Sequence, residues 1–409
     1  MTDLTVPAGS STEPEVPTIA DRPDRLGHRL ASLVQNRFRF VPVVCVLAAI
    51  CIAFAIASPV FLTSRNLTNL TLQIVVVALL ALGMLQVLVV GEIDLAIGAT
   101  SAISAAVFAQ LAVLNGASPG FAIAAALVTG VVIGTAQGFV VTMFKVPSFI
   151  ITLGVSFALQ GAILLILPQA TLQISLQQLK FADIATTYVG PGSSFILLGV
   201  AVVLTLLSRR HTHRSNKRHG LVSNVALVVG LPTLALAVLG SIGIVVLDGY
   251  QGVPVLLIVT LFLYAVFSFI MSGTRFGVSM YAVGGNTEAA ERAGINVRRV
   301  RIATFALANG LGAIAGIFAA TRVLSVSPAS GGTDVVLEAV AACIIGGVSL
   351  FGGRGNPWAA LLGAFVIGTV QNGLFLLTAP EAYRLIAEGG ILVAAILFDR
   401  VISRASGEK

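Results

Sequence analysis

The chain has 409 residues, 57% of them hydrophobic and only 10% charged, with a net charge of +7 and a mean hydropathy of +1.00. A soluble domain carries about 25% charged residues, and a water-soluble chain this apolar would expose large greasy patches, which monomers avoid. Composition therefore points to the bilayer, where about 20 residues of helix cross the hydrocarbon core and satisfy their own backbone. The short alternating segments of an outer-membrane barrel are missing.

Residues 1–40 are polar, rich in Ser, Thr, Pro and Glu, and then basic. They read as a disordered tail. A cleaved signal peptide would set its basic and apolar regions at the very start. Over 41–400 the pattern predicts an all-α, polytopic helical bundle of about 12 spans, or 10 to 12 if short Gly-rich ones are re-entrant or broken. The first six fall near 41–58, 70–90, 97–114, 119–142, 149–168 and 194–207. The second six fall near 221–247, 254–271, 302–320, 335–350, 357–378 and 386–398, with a short tail over 401–409. The 42 Gly and many Ala suit close helix packing.

Charge gives the orientation. With the N-terminus inside and the spans alternating, 20 of the 24 Lys and Arg fall on the inward side, and only Arg65, Lys180, Arg322 and Arg384 lie elsewhere. Positive loops stay in the cytoplasm, so both termini are expected there. The charge of +7 is then an excess facing an anionic leaflet and requires no nucleic acid.

Several chemistries find no support. Only Lys145, Lys180, Lys217 and Lys409 exist and none follows a glycine, so the Gly-Lys-Ser/Thr of a phosphate loop is missing. Cys45, Cys51 and Cys343 form no CxxC pair and read as inert thiols within spans. His211, His213 and His219 share one loop with five cations, which oppose a metal ion. An ion-coupled carrier would bury ionisable groups in mid-span, whereas the carboxylates inside the spans, Glu338 and Glu388, lie near span ends. No nucleophile constellation suggests an enzyme.

Two polar stretches interrupt the apolar pattern. In the loop 272–301, Gly284 and Gly285 break the chain and Asn286 is a good helix N-cap. Glu288 then sits in a first turn, where the helix dipole favours an anion, and Gly294 suits a left-handed C-cap. A short helix of about two turns follows, kept thin by Ala289, Ala290 and Ala293, and marginal without a partner. The second stretch carries Glu92 and Asp94 between two spans, either to cap and bond neighbouring helices or to line an inner gate.

Gly-Gly-Asn-Thr-Glu-Ala-Ala-Glu-Arg-Ala-Gly-Ile-Asn-Val from Gly284 resembles the cytoplasmic coupling loop of bacterial ribose/xylose-type sugar ABC permeases. Gly91 to Gly98, Val146 to Leu153 and Gly346 to Gly353 are similar to three further motifs of that family, in family order, over roughly Asn66 to Asp399. The additional length at 191–255, with Asp248-Gly249-Tyr250-Gln251-Gly252-Val253-Pro254, is similar to the xylose-type members. Glu92 and Thr287 depart from the usual Gly and Pro. The resemblance implies a permease subunit in a bacterial plasma membrane with no cofactor of its own. ATP and Mg would be used by a cytoplasmic ATPase docked on Asn286, Glu288, Ala289, Ala290 and Gly294. A second permease copy and an external sugar-binding protein would complete the importer. A pentose or pentitol is the expected cargo, with ribose, a nucleoside, an inositol or an amino acid as alternatives, and an ion-coupled carrier as the rival class.

Overall fold

A computed structural model describes residues 40–218, 225–380, 382–387, 389–390 and 393. The first-tail expectation, His219, most of the span near 386–398 and the 401–409 tail lie outside these residues. Helices α1 (Phe40–Ala57), α2 (Ser64–Val89), α3 (Ile97–Ala109, continued by a π turn Gln110–Leu114), α4 (Pro119–Phe144) and α5 (Ser148–Ile166) come first. After a 3-10 turn at Lys180–Thr186 follow α6 (Pro191–Arg218), α7 (Leu231–Asp248), α8 (Val255–Gly273), α9 (Arg275–Gly285) and α10 (Thr287–Arg292). The series ends with α11 (Val297–Val323), α12 (Thr333–Ile345) and α13 (Pro357–Leu376). Nine helices among the described residues are long and apolar enough to cross a membrane. The fold is thus the polytopic helical bundle that composition anticipates.

The helix starts follow local chemistry. Thr63, Thr274, Asn286, Asn296 and Asn356 each accept a backbone N–H of the helix they precede. Pro119 and Pro357 open α4 and α13, where the missing N–H costs nothing. From Ile74 to Leu85 helix α2 is apolar all round, so this part belongs inside: Ala78 to Leu82 are fully buried. By contrast α6 and α7, the additional pair over 191–255, leave Ile196, Leu204, Leu239 and Val245 exposed.

The two ends of the bundle gather the segments that alternation assigns to opposite sides. At one end Asn66 and Asn372 exchange amide bonds of 2.9 and 3.2 Å between α2 and α13. The antiparallel pairs Ile174–Ser175 with Ser325–Val326, and Tyr188–Val189 with Val253–Pro254, close the same end. The other end collects Val89, Glu92, Lys145, Arg301 and Gly353.

The helices depart from the sequence expectations in four places. Helix α6 runs on to Arg218, through the stretch expected as a basic loop. The loop 272–301 contains α9 besides its short helix, because Thr274 caps it and Gly277, Met280 and Val283 bury one face. The span expected near 335–350 is the 13-residue α12, stopped at Gly346 and at Gly347 with φ +78°. Lastly, α3 starts beside the middle of α11, its Ile97 against Gly312. Its first turn is also close to the start of α12, Gly98 facing Gly331 and Val336. Both α3 and α12 therefore begin inside the bundle.

Small residues make the central seam. Gly130 and Gly134 of α4 lie on the backbone of α11, where an added Cβ would meet the carbonyls of Asn309 and Phe305. Gly134→Ala should therefore cost about 1–3 kcal/mol by overpacking, while Gly154→Ala, with open space around its Cβ, should not destabilise the protein. Melting of both variants in one detergent checks the contrast.

Candidate functional site

The helix α10 forms as its sequence dictates. Asn286 Oδ1 accepts the Ala289 N–H at 2.9 Å, and Gly294 takes φ +81° beyond the helix end. Glu288 is exposed and pairs with Arg292 across one turn at 3.1 Å. Asn286, Ala289 and Gly294 are exposed as well. Ala290 differs from the surface role expected for it. It is buried, 3% exposed, against the protein's own core. One face of α10 is thus held inward and the opposite face is free. The helix has six residues, somewhat short of the expected two turns.

Three glycine-containing segments hold this region to the rest of the bundle. Gly91 follows α2, Gly284 lies in the last turn of α9, and Gly352 and Gly353 lie in the turn before α13. A Cβ on Gly352 would come 2.7 Å from the Gly284 carbonyl and 2.9 Å from the Gly91 Cα. Gly91, Gly352 and Gly353 have φ of +80°, +86° and +73°, which L side chains rarely adopt. The Gly353 N–H donates to the Val89 carbonyl at 2.9 Å, and Tyr281 Oη donates to the Gly355 carbonyl at 2.7 Å. Backbone meets backbone here because no side chain intervenes.

Beyond Gly91 the chain is unwound until α3, and its backbone is satisfied piece by piece. The Glu92 N–H donates to the Val87 carbonyl, the Ile93 N–H to Ser148 Oγ at 3.0 Å and the Leu95 N–H to Thr152 Oγ1 at 3.0 Å. The Glu92 carboxylate pairs with Arg301 of α11 at 3.1 Å, and both side chains are largely shielded. Asp94, expected at the same end, lies deeper and is completely buried. Its Oδ1 accepts the Ala96 N–H at 2.9 Å, while Oδ2 accepts Gln137 Nε2 of α4 and Asn309 Nδ2 of α11, each at 2.7 Å. Composition and span counting could not reveal this trio, because Gln137 and Asn309 are single amides inside apolar helices.

A cavity of about 580 Å³ separates α10 from the spans behind it. Thr287 and Glu291 line it together with Lys145, Arg298 and the Glu92–Arg301 pair. The Arg298 guanidinium rests on the Phe139 ring at 5.0 Å. Trp358, in the first turn of α13, donates through Nε1 to Ser268 Oγ at 3.1 Å. Among the described residues no group of three His, Cys, Asp or Glu could hold a metal ion.

The hydroxyl of Thr152 is fully buried, and Thr152→Val would leave the Leu95 N–H without its acceptor. A loss of about 1–3 kcal/mol is expected, read as a lower melting temperature, with Ser148→Ala following it in direction.

Comparison with known proteins adds the lineage. The family model described as branched-chain amino acid transport system / permease component matches residues 66–396. The xylose transport system permease protein XylH of Escherichia coli is 33% identical over 351 residues, 85% of this chain and 87% of that protein. Its namesake from Haemophilus influenzae is 34% identical over 356 residues, covering 86% and 94%. The ribose import permease protein RbsC of Bacillus subtilis is 30% identical over 349 residues, covering 85% and 89%. No solved structure matches. With a family match over most of its length and curated relatives aligned nearly end to end, this multi-pass membrane chain belongs to the branched-chain amino acid transport system / permease component family, on the branch of its sugar permeases.

Proposed function

We propose that this chain is the transmembrane permease subunit of an ATP-binding-cassette importer that brings a xylose-type sugar, a pentose or pentitol, into the cytoplasm. Hydrolysis takes place on a separate ATPase that uses ATP and Mg. An external binding protein delivers the sugar, and a second permease copy completes the pathway. The sugar class is supported by the identity to the xylose transport permeases over 85% of the chain. The ribose permease at 30% identity supports a second reading, a pathway of the same architecture for another solute.

The single observation that carries the mechanism is how α10 is joined to the core. Only a turn separates α10 from α11, and α11 holds the unwound segment at two heights, Arg301 on Glu92 and Asn309 on Asp94. An ATPase gripping the exposed face of α10, through Glu288, Ala289 and the ends at Asn286 and Gly294, would push α11 along with it. Because Glu92 and Asp94 are tied to α11, they would travel too, as the mechanical part of an inner gate. The energy input is therefore converted by rigid helices in alternating access, with no reacting group in this chain.

Tagged protein, purified from membranes that contain its ATPase, tests the docking face. Wild type should bring the ATPase with it, and Glu288→Arg or Gly294→Leu should reduce its recovery about tenfold or more, as loss of a central contact does. Full recovery with both variants would move the docking face elsewhere. In vesicles holding the complete complex, ATP-dependent xylose uptake should exceed ribose uptake, and uptake driven by an ion gradient without ATP would replace the importer by a carrier.

A further inference from the structure

The bonds at Asp94 have a consequence for the two amides that make them. An ionised carboxylate only accepts hydrogen bonds. Both carboxamides must therefore turn their NH₂ groups toward Asp94 Oδ2, as they do at 2.7 Å. Their carbonyl oxygens are thereby left facing elsewhere. Gln137 Oε1 and Asn309 Oδ1 are buried and have no hydrogen-bond partner among the described residues. Asn309 spends its remaining donor on the Phe305 carbonyl at 3.0 Å, which fixes its orientation further.

Two hydroxyls on α3 are in the same condition. Thr100 Oγ1 and Ser104 Oγ are fully buried and also lack partners. They are one helical turn apart, so they share a face of α3, and α3 packs against both α4 and α11. A hydroxyl in an apolar helix ordinarily bonds back to a carbonyl of the preceding turn. Thr129, Thr135, Thr142 and Thr260 all do so here. Buried polar groups are nearly always paired. Four orphans thus lie on three helices that pack on one another, two of them on side chains that bond one carboxylate, and a guest bringing hydroxyl donors and acceptors would satisfy them.

We infer that Gln137, Asn309, Thr100 and Ser104 form a binding station for the hydroxyls of a neutral polyhydroxylated solute, met on its way through the bundle. The inference rests on the sugar-importer reading and gives that reading its contact residues. Asp94 is a positioning residue: it touches no sugar and sets which way the two amides face in the closed form. A metal cation is the poorer fit, because the carboxylate that would attract it is already occupied by N–H donors. The station is closed in this conformation. Opening requires α4 to part from α11 along the seam of Gly130, Gly134 and Gly138, where α4 lies against the backbone and the Phe305 side chain of α11, and it releases Gln137 from Asp94. The orphans are groups a guest satisfies in that open form.

Thr100→Val and Ser104→Ala separate this role from a structural one, because neither hydroxyl holds anything in the closed state. The complete complex, with ATPase and with binding protein saturated by each sugar in turn, is assayed in vesicles for uptake of xylose and of its monodeoxy analogues. Wild type should favour xylose over at least one deoxy analogue by roughly tenfold, the effect of a buried group left unpaired. In Thr100→Val and Ser104→Ala that preference should fall to within about twofold, while melting temperatures hold or rise. Gln137→Met should lose the preference as well. Unchanged preference in all three variants, with xylose uptake intact, overturns the station and leaves the importer standing. Lower melting temperatures with unchanged preference also overturn it, in favour of bound structural water. Wild-type uptake of a solute without hydroxyls, and of no sugar, overturns the sugar reading and the guest with it.

Discussion

A carboxylate in the middle of an apolar bundle sets the terms for everything near it. Asp94 cannot be left without donors, since an unpaired buried charge costs several kcal/mol or more. Its donors come from the first turn of α3, from Gln137 of α4 and from Asn309 of α11, so a single side chain pins three helices together. Starting α3 inside the bundle instead of at its end is what makes this possible. The helix begins where the carboxylate can bond its first free N–H groups, and the unwound approach from Gly91 is satisfied by Ser148 and Thr152. Unwound backbone at such depth is tolerated only when protein covers it.

The glycine junction solves a second problem, that of attaching a surface helix stiffly. An isolated six-residue helix has little stability of its own. Here α10 is capped at both ends, buries Ala290, and is preceded by Gly284, whose backbone lies on that of Gly352. Side chains at these positions would interpose flexible packing between α9, the end of α2 and the turn before α13. With glycine, a displacement of one backbone meets the next directly. The cavity of about 580 Å³ behind α10 leaves room for such a displacement.

Much of this was legible in the sequence, for identifiable reasons. Apolar run length and the distribution of 24 cationic residues give the helical bundle and gather the basic segments at one end. The cap of α10 was readable from Asn286, Glu288 and Gly294, because capping is local chemistry. Depth was not readable. Glu92 and Asp94 are neighbours in sequence, yet one reaches Arg301 at the bundle end and the other Asn309 in its middle. Extended chain climbs about 3.3 Å per residue against 1.5 Å in helix, and a sequence pattern cannot tell which of the two bridges a short gap. The inward face of Ala290 was hidden likewise, since it depends on which surface lies opposite.

On this account α10, α11 and the segment from Glu92 to Asp94 move as one body against α4, and the Gln137–Asp94 bond to α4 is the tie that gives way. Thiol cross-linking in the complete complex tests it most directly, with Cys45, Cys51 and Cys343 replaced. A short bifunctional reagent joining Glu92→Cys to Arg301→Cys should leave ATP-driven uptake intact. The same reagent joining Phe139→Cys to Arg298→Cys, across the seam between α4 and α11, should stop it. Uptake stopped by the first bridge, or continuing through the second, would contradict the account.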